Sequence, residues 1–280
     1  MRTHYLVFVL AFGAARCGSG AAQPEVRTVP LTRTVRIPVE VLSTVRAPEN
    51  TATLAVSEAA TDELPQGPQS FDLLPGGGFV ISDPLRRRLV TYDDQGVFRS
   101  EQPLGFAAND VSIPEGGPVQ VRQATTDEAF QVGARGELQP IDLSRASRSA
   151  ETSLGQARLG PENRGVIQRS VARGGAPSEL EVRYDGEDRR LISLQDLGTD
   201  REGNTYVALE TTRGGDVIDV VKLIRRYAPT GALVAEIRGI SIDYYVRPTT
   251  EFRLRDGVVY QLMPLRNEVL INVWNTNAPQ

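Results

Sequence analysis

Cysteine and histidine occur once each in 280 residues, as Cys17 and His4. Both fall within the first 22 residues, which read as a leader, so the remaining chain lacks both. That excludes disulfides. It also excludes a Ser-His-Asp triad, a cysteine nucleophile and a histidine-ligated metal centre. Lysine is almost as scarce: Lys222 is the only one among 31 basic residues. The arginines that make up the rest accompany abundant Ala, Gly and Pro, a bias of GC-rich coding that carries no functional weight. They are scattered, and Arg86-Arg87-Arg88 is the only dense run. With a net charge of -4 and no basic stripe, a nucleic-acid partner is not expected. No apolar run reaches the ~20 residues that a membrane-spanning helix needs.

What is present begins with MRTHYLVFVLAFGAARCGSGAAQ. A short basic start, an apolar stretch and a small-residue tail follow the plan of a secretory signal peptide. Two processing routes compete. Cleavage after Ala22 releases a soluble protein. Alternatively, Cys17 followed by Gly-Ser-Gly serves as a lipid-acceptor cysteine, although Arg16 and Ala14 depart from that pattern. Either route implies export, to a periplasmic, outer-membrane-anchored or extracellular destination. The chain then divides into a leader over 1–22, an extended lead-in over 23–48, one domain over 49–276 and a tail over 277–280.

That domain is written as a repeat. Ser70 to Leu104 and Asp110 to Leu143 share one frame: strand, glycine turn, strand, polar loop, strand, glycine turn, strand, leucine. The turn glycines are Gly78 and Gly96 in the first copy, Gly117 and Gly136 in the second. The frame returns from Asp196 to Ile237 with Gly203 and Gly231, and again from Glu251 to Asn275 with Gly257, where it stops after three strands. Between the second and third copies, Gly165 to Leu194 is degenerate but keeps a turn at Asp185-Gly186. Alternation within strands, as at Phe79 and Ile81 or Val90 and Tyr92, is the period-two signal of a sheet. One four-stranded meander cannot bury both faces alone, whereas a ring of them can. The fold class is therefore all-β, a β-propeller of four-stranded antiparallel blades. Five blades are favoured, with six as the alternative. The isolated strand TATLAVSE (Thr51 to Glu58) is expected to complete the last blade and close the ring.

With these motifs in view, the chain resembles bacterial NHL-type β-propellers, including secreted ones of unassigned role. The carriers are GPQSF…GGGFVISD…RRLVTYDDQG, DREGNTYVALE…VKLIRRYAPTGALVAEI and RLRDGVVYQL. The second follows the D-x-x-G-N-x-Y-V and Y-D-x-x-G motifs, with Ala228 in place of the usual Asp. Such propellers include protein-binding and RNA-binding modules and a few lyases or hydrolases. The histidines of the enzymatic members have no counterpart here.

Candidate chemistry gathers at the starts of the innermost strands. Asn109, Asp110, Asp196 and Glu251 would converge on one mouth of the central channel. There they could hold Ca²⁺ or another hard divalent cation, which would polarise a lactone or ester carbonyl. The competing reading has each carboxylate accepting hydrogen bonds from neighbouring turns. Arg86, Arg87 and Arg88 form either a partner-binding patch or a solvated loop. Tyr244 and Tyr245 form either an aromatic shelf for a partner or packing between blades. The favoured function is a non-enzymatic module, without catalytic residue or cofactor, that binds a protein or peptide in the cell envelope. A monomer is expected, with membrane attachment only through a lipid at Cys17. The alternative is a divalent-metal hydrolase of lactonase or esterase type.

Overall fold

A computed structural model describes residues 26–42, 52–58, 63–142, 154–169, 178–186, 188–214 and 219–278. The leader, with Cys17 and His4, lies outside them. The described chain opens with three strands that belong to later sheets: β1 (Arg27–Val29), β2 (Arg33–Leu42) and β3 (Leu54–Ser57). The first sheet follows as β4 (Phe71–Leu73), β5 (Phe79–Asp83), β6 (Arg88–Tyr92) and β7 (Phe98–Pro103), interrupted by a single 3₁₀ turn at Pro84–Arg86. The second holds β8 (Ala108–Ser112), β9 (Gln120–Gln123), β10 (Ala129–Val132) and β11 (Leu138–Ile141). Three strands make the third: β12 (Gln156–Leu159), β13 (Arg164–Arg169) and β14 (Ser178–Arg183). The fourth has β15 (Arg190–Thr199), β16 (Thr205–Arg213), β17 (Asp219–Tyr227) and β18 (Leu233–Ile240). Finally come β19 (Phe252–Arg255), β20 (Val258–Pro264) and β21 (Glu268–Asn275).

Each sheet is an antiparallel meander in chain order, and two receive additions from the N-terminal strands. β1 lies parallel to β18 at the outer edge of the fourth sheet. β2 pairs antiparallel with β21, and β3 lies parallel outside β2. The residues next to the final strand are thus Arg33–Pro38, in the stretch read from sequence as lead-in, and the strand read as the closing one sits one place further out. The degenerate region also divides differently. Arg190–Leu194 opens the fourth sheet rather than ending the third.

Alternation explains how one strand serves two seams. Every residue of β5 is buried, yet Phe79 and Ile81 pack with Ile37, Leu262 and Ile271 of the last sheet. Val80 points the other way, to Leu104, Val111 and Val121 at the second sheet. Similar clusters join the fourth sheet to the last through Tyr206, Ile237 and Trp274, and to the third through Ile167, Leu209 and Tyr227. The first strands of successive sheets touch in the series β12, β15, β19, β4, β8. Sheets packed face to face around a shared inner row define a propeller-like, all-β architecture. Among the described residues none of the four clusters joins the second sheet to the third.

Two turn glycines are required by contact as well as by conformation. Gly78 has φ +88°, and a Cβ there would sit 2.3 Å from the Tyr92 carbonyl oxygen. Gly96, at φ +84°, would place its Cβ 2.8 Å from Val35 and so obstruct the approach of β2. Gly78→Ala is expected to destabilise the protein by about 1–3 kcal/mol, read as a lower urea midpoint. Gly76→Ala, which meets nothing within 4 Å, should leave the midpoint within error.

The arginine run is mostly interior, which corrects the reading of Arg86, Arg87 and Arg88 as a patch or a solvated loop. The Arg86 side chain is buried, donates to the Thr53 carbonyl at 2.7 Å and pairs with Glu40 on β2. Arg88 is 3 % exposed. It donates to Asp83 at 3.0 Å and to the same Thr53 carbonyl at 2.6 Å, and it pairs with Glu101. Only Arg87, in a left-handed conformation at φ 51°, faces water. The run is a latch between the first sheet and the N-terminal strands.

Candidate functional site

Asn109, Asp110, Asp196 and Glu251 all lie at or near the innermost strands, but they do not form one cluster. Among the described residues no three acidic, histidine or cysteine side chains group as candidate metal ligands. Asp110, on β8, accepts hydrogen bonds from the Ser70 hydroxyl at 2.7 Å and the Thr250 hydroxyl at 2.9 Å. The Arg253 guanidinium stands 3.9 Å from it. Asn109 sits in the β-bulge beside it, and its buried Oδ1 has no hydrogen-bond partner among the described residues. Asp196 is buried and held bidentately by Arg169, through a 2.8 Å bond from Nε and a second from the terminal nitrogen. The amides of Gly198, at 3.0 Å, and Gly155 also donate to it.

Glu251 belongs to a third group, built around the sole lysine. Lys222 is 6 % exposed and pairs with Glu251 and, at 2.9 Å, with Glu210. A compact ammonium suits this position between two carboxylates, where a planar guanidinium would need more room. Glu251 also accepts from the Tyr244 hydroxyl and, at 3.0 Å, from the Gln261 amide. Asn272 in turn donates to Gln261 at 3.2 Å. Burial, reinforced by the Glu251 carboxylate, pushes the Tyr244 hydroxyl well above its ordinary range and keeps it a donor. The Lys222 ammonium lies 5.5 Å from the Phe252 ring centre, within cation–π range.

The tyrosine pair is a brace more than a shelf. Tyr244 holds Glu251, and the Tyr245 hydroxyl donates to the Ser57 carbonyl on β3 at 3.2 Å. Trp274 is buried between the fourth and last sheets.

Beside the lysine group lies a cavity of about 170 Å³. One wall is a face of the fourth sheet. Ser193 on β15 is directly opposite Glu210 on β16, which is directly opposite Lys222 on β17. Gln195, two residues along β15, extends the same face. The other wall is the connection into the last sheet, with Arg247, Thr249 and Glu251. Sequence reasoning found Glu251 but passed over Glu210, Arg247 and the role of Lys222. The signal for Lys222 was its singularity in an arginine-rich chain.

The strand order and the packing of the sheets place the chain in the class of propeller-like all-β proteins. No family model matches it, and no curated protein does. Solved structures with a similar outline include virginiamycin B lyase from Staphylococcus aureus, at 9 % identity over 77 % of this chain and 86 % of that one, TM-score 0.34. A gluconolactonase from Xanthomonas campestris shares 9 % identity over 74 % and 86 %, TM-score 0.33. The calcium-binding protein regucalcin from Agrobacterium tumefaciens shares 11 % over 91 % and 98 %, TM-score 0.32. Likeness at this level carries no argument about the chemistry of the site.

Proposed function

We propose that this chain is a non-enzymatic binding module of the cell envelope. In this reading it is a five-bladed NHL-type propeller, closed by its N-terminal strands, that presents its channel mouth to a protein or peptide. The leader supports export, and the pairing of β2 with β21 supports closure. One observation carries the choice of binding over catalysis. The three carboxylates of the hydrolase alternative stand beside three different cations, Arg253, Arg169 and Lys222, whereas the neighbouring cavity keeps polar groups free for a ligand. Carboxylates already paired with arginine or lysine would have to give up those partners to bind a divalent ion.

Calorimetric titration with Ca²⁺ is therefore expected to give no binding heat. Heat abolished by Asp110→Asn in a folded variant would favour the hydrolase. A photoreactive residue at position 249, on the cavity rim, is expected to crosslink an envelope protein or peptide. The same group at Leu64, which is 87 % exposed, is the control. Equal yields at the two positions would overturn the assignment of the binding face.

A further inference from the structure

We infer that the channel-mouth cavity binds a small zwitterion of the α-amino-acid class, its ammonium on Glu210 and its carboxylate on Arg247. The inference rests on the reading of this mouth as a binding face, and it adds a small ligand in the cavity beside the protein or peptide partner at the rim.

Four charged side chains line the cavity: Lys222, Arg247, Glu210 and Glu251. Two of them are committed. Lys222 divides its ammonium between the two glutamates, and Glu251 also receives Tyr244 and Gln261. Glu210 is only partly committed. Its one partner among the described residues is Lys222, and its side chain remains 24 % exposed. Arg247 is exposed and has no partner among the described residues. What remains is one open anion and one open cation, on opposite walls.

A singly charged ligand would satisfy one wall and leave the other charge unmatched in a partly dehydrated space, which is costly. A zwitterion answers both and leaves the cavity as neutral as it is when empty. The neutral groups divide in the same way. An ammonium has three donors to place, and Glu210 stands next to the Ser193 hydroxyl and the Gln195 amide on the sheet wall. Neither side chain has another partner among the described residues. A carboxylate accepts from the guanidinium fork, and the Thr249 hydroxyl lies on the same wall as Arg247. Ala208, Pro248 and Phe252 complete the lining with apolar surface for the ligand's carbon atoms. At about 30 Å³ per water in the liquid, the volume corresponds to roughly six waters. That suits a free amino acid with a short side chain.

Calorimetry on the purified protein tests this with L-serine, with N-acetyl-L-serine, which lacks the ammonium, and with L-serinamide, which lacks the carboxylate. L-serine is expected to bind, and each blocked analogue to bind at least about tenfold more weakly, since each leaves a charged wall group unpaired. Arg247→Met, an exposed position, is expected to remove the preference for L-serine over L-serinamide. Glu210→Gln should remove the preference over the N-acetyl analogue. Equal binding of all three ligands would overturn the inference, as would an absence of heat with every common amino acid on folded protein. If crosslinking at position 249 succeeds while calorimetry stays silent, the binding face stands and the zwitterion falls. If both are silent, both fall.

Discussion

Replacing Arg88 with methionine is expected to remove about 3–5 kcal/mol of stability, seen as a fall in the urea midpoint at neutral pH. The size follows from what the guanidinium holds. Asp83 is 0 % exposed, and its Oδ1 has no hydrogen-bond partner among the described residues. Without Arg88, its nearest cation is Arg86 at 3.8 Å. Thr53 would lose a 2.6 Å donor, and Glu101 would lose the same cation. Methionine keeps much of the apolar stem, so the loss reports the charge more than a void. The double variant Arg88→Met/Asp83→Leu is expected to be more stable than Arg88→Met alone, because it removes the stranded carboxylate together with its partner. If the double variant is the weaker, the latch is held by packing and not by the ion pair.

The pH dependence of that loss has a definite sign. Burial pushes the Asp83 carboxyl above its ordinary value of 3.8, and Arg88 with Arg86 offsets only part of the rise. A folded value above the unfolded one means that the native state binds the proton more tightly. Stability from this group is then present in acid and falls as pH rises from the ordinary value through the raised one. Arg88→Met removes the chief counterweight and raises the folded value further. Its deficit is therefore expected to shrink toward about pH 4 and to grow toward neutrality. A deficit independent of pH would mean that Asp83 carries no charge in the native protein.

The latch shows how far the residue pattern alone reaches. The antiparallel meanders were legible because glycine turns and alternating strands are local signals, and Gly78, Gly96 and Gly203 all adopt positive φ. What faces what was less legible. The run Arg86-Arg87-Arg88 looks solvated in one dimension, but it is read with Glu40 and Thr53, more than thirty residues away. Those partners arrive through β2 and β3, whose pairing with the last sheet depends on residues at opposite ends of the chain. Pro38 stands at the last pair of the β2–β21 register, opposite Glu268, where a missing N–H does least harm. The sequence placed the acids at the strand starts together, as metal ligands or as acceptors for neighbouring turns. Their separation onto Arg253, Arg169 and Lys222 was invisible, since each cation comes from a different sheet. Glu210 and Ser193 become a feature only when β15 and β16 pair, because their meeting is a property of register.

Asp200→Asn tests a motif that the sequence singled out, DREGNTYVALE. A loss of about 2–4 kcal/mol is expected. The Asp200 carboxylate accepts from the Asn204 amide at 2.8 Å and from its side chain at 2.9 and 3.0 Å. Tyr206 and Arg226 each donate to it at 3.0 Å. An asparagine offers a single acceptor oxygen and turns an NH₂ toward groups that are themselves donors. The damage would not stay local, because Tyr206 also bonds Thr276 at 2.7 Å and Arg226 bonds the Thr276 carbonyl at 3.2 Å, which ties the fourth sheet to the end of the chain. The acid response has the opposite sign from that of Asp83. Burial works against the charge of Asp200, but the bonds from Asn204 and Tyr206, with Arg226 nearby, outweigh it and hold the carboxyl below its ordinary value of 3.8. Stability from this group is therefore present above the ordinary value and lost as pH falls through the depressed one. Wild type should lose stability across that interval, whereas Asp200→Asn should lose less and converge with it. Asp188→Asn, at an exposed position, should stay within about 0.5 kcal/mol of wild type at every pH. Because the Asp200 turn sets the hairpin from β15 to β16, and with it the register that brings Ser193 opposite Glu210, Asp200→Asn should also weaken L-serine binding without touching the cavity. Full binding in a destabilised Asp200→Asn protein would show that the cavity wall holds its shape independently of the turn.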